Sequence, residues 1–235
     1  MRGIPTRWLT PFFFLLAISL VLVSSFFLTA DRPDRTLSEN KVTGKVATRL
    51  FVISSYPLEC NTTLIQGYNL YELHCIPSNA SPSSVFRDYL SNITSIHTYH
   101  AGSDDPWSAY NPRLPSWVVQ DLTSLERTQG YWMRMFSNTS VSINGTYSLP
   151  VRNDLIPGWN LAGYALQIPK NVTDALSGID TKFTLILGYN ATDSMDPWKS
   201  YDPSINDSFN DLHRFEPHHG YWINMTANGT WYLDE

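Results

Sequence analysis

The sequence predicts an α+β, β-rich protein in which an N-terminal apolar helix precedes two homologous tandem modules, each an antiparallel sheet with a short covering helix. Three observations carry this. Asp105-Pro106-Trp107-Ser108-Ala109-Tyr110-Asn111-Pro112 returns 91 positions later (196 minus 105) as Asp196-Pro197-Trp198-Lys199-Ser200-Tyr201-Asp202-Pro203. Gly130-Tyr131-Trp132-Met133 returns 90 positions later (220 minus 130) as Gly220-Tyr221-Trp222-Ile223. Between these motifs, short stretches of strand periodicity alternate with turn-forming Gly, Pro and Asn.

The chain of 235 residues is 14% aromatic and only 16% charged, which supplies apolar surface for two cores and too little charge to keep it disordered. A net charge of -5 without a Lys/Arg-rich run excludes an electrostatic footprint for nucleic acid. Trp8 to Ala30 contains no charged residue and follows Arg2 and Arg7. At ~1.5 Å per residue it would cross the ~30 Å hydrocarbon core as a retained anchor with the N-terminus inside. The alternative is a signal peptide cut after Ser25 or Ala30. Either way the remainder is exported. Residues 1–30 are therefore read as signal-anchor, 31–47 as a polar stalk, 48–150 as module one and 151–235 as module two.

Module one should open with a strand at Leu50-Phe51-Val52-Ile53. Leu64-Ile65-Gln66-Gly67-Tyr68-Asn69-Leu70 and Leu155-Ile156-Pro157-Gly158-Trp159-Asn160-Leu161 then read as matching turns, with glycine where positive φ is needed. An antiparallel hairpin about Gly67 would set Cys60 opposite Cys75, where the second module has Val151 and Leu166. These two cysteines should form a disulfide, which on the chain-entropy model adds roughly 3 kcal/mol. After Pro77 and Pro169 a short helix should follow. Ser81 would cap the first, with Pro82 at its first position and Val85, Phe86, Tyr89 and Leu90 facing inward. Val172, Ala175, Leu176 and Ile179 give the second its apolar face.

Ile93 to Tyr99 and Phe183 to Tyr189 read as strands, the latter with Phe183, Leu185, Leu187 and Tyr189 on one face. Val119, Leu122 and Leu125, and likewise Phe209, Leu212 and Phe215, recur at steps of three and suggest a turn or two of helix. Gly-Tyr-Trp opens the next strand, with Trp132 and Trp222 read as core. Asn144-Gly145 and Asn228-Gly229 then read as hairpin turns that pair the last two strands of each module. Their offset of 84 (228 minus 144) places about six extra residues of module one around Ser137 to Ile143.

Gly158-Trp159-Asn160-Leu161, the Asp196 to Pro203 loop, Asn210-Asp211-Leu212 and Gly220-Tyr221-Trp222-Ile223 resemble the tandem "GWNL to GYWI" module of predicted archaeal and bacterial cell-surface proteins. The similarity covers residues 64 to 235 and is sharper in module two. Module one has Gly67-Tyr68-Asn69 for Gly-Trp-Asn, and Asn111 for Asp202. The resemblance implies an exported surface location and a non-enzymatic role, and it supplies no site residues.

The strongest chemical signal is the set of glycosylation sequons. Asn61, Asn79, Asn92, Asn138, Asn144, Asn171, Asn190, Asn206, Asn224 and Asn228 each precede x-Ser/Thr. The competing reading is that Asn, Ser and Thr merely crowd turns. Asp104-Asp105 and Asp193 to Asp196 with Asp202 could offer oxygen ligands to calcium, but their spacing matches no calcium loop, and solvated turn carboxylates explain them. His97 with His100, and His218 with His219, lack the spacing of a zinc pair. Trp107 and Trp198, beside prolines in loops, are candidate ligand-binding residues for sugars. No nucleophile elbow, phosphate loop or metalloprotease motif occurs, and no cofactor is implied.

The expected protein is a non-enzymatic, membrane-anchored or secreted glycoprotein with a structural or adhesive role in an envelope layer or filament. Its partners would be the membrane and possible surface proteins or glycans. A carbohydrate- or calcium-binding module is the alternative, and a secreted hydrolase the remaining one.

Overall fold

A computed structural model describes residues 54–234, which belong to one compact unit. The apolar segment 8–30, the polar segment 31–47 and the strand expected at Leu50-Phe51-Val52-Ile53 lie outside the described residues. Among the described residues no helix is long and apolar enough to cross a membrane.

The first half runs β1 (Ser54–Leu64), β2 (Gly67–Glu72), α1 (Pro82–Val85), β3 (Ile93–Tyr99), β4 (Trp107–Tyr110), β5 (Gly130–Met135) and β6 (Thr139–Leu149). The second half runs β7 (Val151–Leu155), β8 (Gly158–Gly163), β9 (Lys170–Asn171), α2 (Val172–Ala175), β10 (Phe183–Tyr189), β11 (Trp198–Tyr201), β12 (Arg214–Phe215), β13 (Gly220–Met225) and β14 (Gly229–Leu233). One four-stranded antiparallel sheet has the order β2-β5-β3-β4 and the other β8-β13-β10-β11. Their registers correspond: Gly67 pairs with Met135 as Gly158 pairs with Met225. Each sheet also has one bulge at the same place, between Ile93 and Ser95 and between Phe183 and Leu185.

The disulfide Cys60–Cys75 is present, with Cα atoms 6.2 Å apart. Its route differs from a hairpin about Gly67. β1 pairs with β6, and β2 with β5, so the Gly67 turn carries the chain from one sheet to another. Long β6 gathers the cysteines instead: Cys60 lies opposite Ile143 on it, and Ile76 bridges Thr146 further along. Val151 and Leu166, in the equivalent places, are both buried in the second core.

The Asn-Gly turns are a second correction. Asn144-Gly145 sits inside β6, opposite Glu59 and Leu58, and β14 pairs with β7 rather than with β13. Gly145 is required for close approach, since a Cβ there would stand 2.7 Å from the Ile76 backbone. The extra residues expected around Ser137 to Ile143 are not there. Leu64 opposite Thr139 corresponds to Leu155 opposite Gly229, and Cys60 opposite Ile143 to Val151 opposite Leu233. The equivalence therefore runs unbroken through residue 143, beyond which β6 continues as Asn144 to Leu149, paired with Ser54 to Glu59.

The short helices form as their apolar spacing requires, burying Val85 and Phe86 on one core and Val172, Ala175, Leu176 and Ile179 on the other. The three-residue period after β4 and β11 gives less helix than expected. Only Asp207–Phe209 makes a 3₁₀ turn; β12 holds Phe215, and the segment containing Leu122 and Leu125 is irregular. Those leucines are buried, while Val119 and Phe209 are exposed. Side chains hold the segments extended: Asp121 accepts from Ala109 N and Asp211 from Ser200 N, both at 2.6 Å. In β10 the bulge changes the facing, so Ile186 and Gly188 join Phe183 inside and Leu185, Leu187 and Tyr189 turn to the opposite face. The largest buried side chain is Trp231, whose Nε1 donates to the Ala175 carbonyl and so ties β14 to α2.

Candidate functional site

The repeated motifs resolve into structural roles. Gly67 and Gly158 adopt φ of 95° and 92°, which L side chains rarely tolerate. The following asparagine clamps each turn: Asn69 Oδ1 accepts from Ile65 N at 3.0 Å and its Nδ2 donates to Ile65 O at 2.8 Å. Asn160 repeats this on Ile156 at 3.1 and 2.7 Å. Leu70 and Leu161 are buried, leaving Tyr68 and Trp159 on the outer face.

Tyr131 and Tyr221 of the Gly-Tyr-Trp motifs point into the cores, where their hydroxyls accept from Glu126 N and Glu216 N. Strand alternation then turns Trp132 and Trp222 away from the cores, contrary to the expectation that they lie inside. Each enters the other half. Trp132 lies 5.1 Å from Tyr189 and 5.7 Å from Trp198, while Trp222 lies 5.2 Å from Tyr99 and 6.0 Å from Trp107. Tyr68 and Trp159 complete the two clusters at 6.2 Å from Trp132 and Trp222. All these contacts are edge-on or tilted, the geometry ring quadrupoles favour.

The same reciprocity governs the backbone. Tyr71 bridges His219 as Ala162 bridges Gln129, and Glu72 N donates to His218 O as Gly163 N donates to Thr128 O. Gly130 and Gly220 meet where the two sets of contacts cross, and a Cβ on Gly220 would lie 2.9 Å from Gly130 Cα. This is the self-complementary pattern of an isologous contact, contained in one chain. The candidate residues Trp107 and Trp198 are 45% and 44% exposed, so each presents an aromatic edge to solvent, but in separate clusters rather than one groove.

Between the halves lies a polar group that inspection of motifs missed. Glu72 and His74 are buried, with Oε2 of Glu72 3.2 Å from Nδ1 of His74. His74 meets His218 at 4.2 Å between ring centroids, and His218 stacks on Tyr71. Arg127 lies over the Tyr147 ring and donates to Ser148. Burial raises the Glu72 carboxyl well above its ordinary value, against the pull of Arg127. Burial first, then His218 and Arg127, lowers His74 to about 3; burial, then His219, lowers His218 to about 4. Burial therefore favours the neutral carboxyl and neutral imidazoles, with Glu72 Oε2 and His74 Nδ1 in hydrogen-bond contact. The available signal was asymmetry between the repeats, since Glu72, His74 and Arg127 stand where the second half has Gly163, Ala165 and Pro217. Gly163 makes the room: a Cβ there would be 2.5 Å from Glu72 Cγ.

The acidic loops of the second half are occupied by the protein itself. Asp193 accepts from the backbone of Met195 and Asp196, and Lys199 Nζ sits 3.1 Å from Asp193 and 3.3 Å from Asp196. Asp202 accepts from Ser204 N and Oγ in a turn. Lys199 also borders a cleft of about 370 Å³ with Tyr189, Asn190, Asp211, His213 and Glu216. Among the described residues no three His, Cys, Asp or Glu side chains are placed to hold a metal ion.

None of the ten sequon asparagines is fully buried. Asn92 and Asn224 are partly buried and the other eight are exposed. Asn69, Asn153, Asn160 and Asn210, the buried asparagines among the described residues, all lack a sequon and all make structural hydrogen bonds. No known protein family, curated protein or solved structure matches the chain.

Proposed function

We propose that this chain is a non-enzymatic, N-glycosylated cell-surface protein, exported behind its N-terminal apolar segment, whose two modules serve a structural or adhesive role. The observation that carries the reading is the separation of the asparagines. Those the fold fully buries are without sequons, and eight of the ten with sequons are exposed to an exported chain's glycosylation machinery. The matching strand orders, registers and bulges of the two halves support descent from one duplicated module. The resemblance to "GWNL to GYWI" surface modules agrees with export. The test is chemical deglycosylation of the protein extracted from its own cells. A fall in apparent mass is expected, and unchanged mobility overturns the reading.

Exposure of Trp107 and Trp198 favours a second reading, in which the aromatic edges bind a sugar of a neighbouring surface. Titration with oligosaccharides should then alter tryptophan fluorescence in the native chain but not in the Trp107→Ala/Trp198→Ala double variant. The carboxylates of the Asp193 to Asp196 loop are already committed to Lys199 and to turn amides, so sugar is preferred to calcium as the ligand.

A further inference from the structure

Side chains two apart on a strand share a face, so Asn224 lies on the same outer face of its sheet as Trp222. In register it stands opposite Trp159 on β8 and Leu185 on β10. Its side-chain amide has no hydrogen-bond partner among the described residues, and Met225 and Thr226 complete a sequon. Trp159 touches Trp222 edge-on and remains 37% exposed.

The first half shows what this position is for. There the equivalent residue is Arg134, opposite Tyr68, and its guanidinium lies 5.4 Å over the Tyr68 ring. A cation covers the outer aromatic of one half. In the other half the place opposite the outer aromatic is the asparagine of a sequon.

We propose that Asn224 carries an N-linked glycan whose first sugar packs on the exposed face of Trp159, as Arg134 packs on Tyr68. The sugar's C–H groups carry partial positive charge toward the negative face of the indole. Attachment is ordinary glycosyl transfer from a lipid-phosphate-linked glycan. The Asn224 Nδ2 displaces the phosphate at the anomeric carbon, one C–O bond breaks, one C–N bond forms, and the amide loses a proton. The inference rests on the glycoprotein reading and adds to it a specific site and a specific contact. One aromatic cluster is then covered by the chain's own sugar, and the other by its own arginine.

The full chain, purified from cells that glycosylate it, is mapped by peptide mass spectrometry alongside Thr226→Ala and Ser208→Ala, which remove the Asn224 and Asn206 sequons. A glycan on Asn224 is expected. Thr226→Ala should redden tryptophan emission and lower Tm by about 2–4 °C relative to Ser208→Ala. In a Trp159→Ala background the Thr226→Ala change should lose that effect. Glycans at other sequons with Asn224 bare overturn this inference and leave the glycoprotein reading intact. No glycan at any sequon removes both. An occupied Asn224 whose loss matches Ser208→Ala in Tm and fluorescence overturns the packing on Trp159.

Discussion

Replacing Glu72 with Gln removes one buried proton and keeps the shape around it. A neutral carboxyl can donate to His74 Nδ1, 3.2 Å away, and Gln can donate to the same nitrogen. Folded, His74 and His218 titrate only at about 3 and about 4, so this trio binds about one proton from about pH 5 until Glu72 releases it. Unfolded, the imidazoles titrate at 6.5 and the carboxyl at 4.5. The unfolded trio therefore binds about 1.9 protons at pH 5.5 and about 0.5 at pH 7. Stability rises with pH where the unfolded chain binds more protons and falls where it binds fewer, so the histidines favour the fold as pH rises toward 6.5 and the carboxyl opposes it above 4.5 while Glu72 keeps its proton. The lowered histidines lose their contribution as pH falls below 6.5, and the raised carboxyl loses its contribution as pH rises above 4.5. In the Gln variant only the histidine limb remains. Relative to the native chain, the variant should gain up to about 1.4 kcal/mol per pH unit as pH rises above 4.5 for as long as Glu72 keeps its proton in the fold, from an offset within about 1 kcal/mol below pH 4.5, where both side chains are neutral. Urea denaturation of both chains at pH 5, 6, 7 and 8 measures the difference directly. A difference that stays flat from pH 6 to 8, or turns against Gln as pH rises, means Glu72 is ionised in the fold and refutes the neutral pair.

Three further outcomes follow from packing and covalent structure. Cys60→Ala/Cys75→Ala opens a link of sequence separation 15 and should cost about 3 kcal/mol, read as the lowered urea midpoint that reductant also produces in the native chain. Gly220→Val places a side chain where Gly130 Cα already stands, 2.9 Å from the new Cβ, and should cost about 1–3 kcal/mol or more by chemical denaturation. Asn160→Ala strips both partners from the Ile156 backbone and should cost about 1–3 kcal/mol, whereas Asn228→Gln, on an exposed turn, should stay within about 0.5 kcal/mol apart from any lost sugar.

Local chemistry was legible in the sequence and partnership was not. Gly67 and Gly158, Pro82 and the Val172 to Ile179 spacing act within a few residues, and each appears where its own geometry demands. Asn144-Gly145 carries the same local signal as a hairpin turn, yet Gly145 answers to the backbone at Cys75 and Ile76, about seventy residues earlier. Leu122 and Leu125 keep a helical spacing, but Asp121 fixes the chain to β4 before a helix can close. The alternation in Phe183 to Tyr189 was read in one phase because a bulge has no sequence mark of its own. Glu72 and His74 look like ordinary surface residues until they are set against Gly163 and Ala165 in the second half. Difference between repeats, rather than likeness, marks the site.

Trp132 completes its contacts on Tyr189 and Trp198, and Trp222 on Tyr99 and Trp107. Neither half has a finished surface of its own. A fragment ending at Pro150 would display an uncovered indole beside a vacant seat shaped for another, and two such fragments would satisfy each other across a twofold axis. Joining both in one polypeptide makes that encounter independent of dilution.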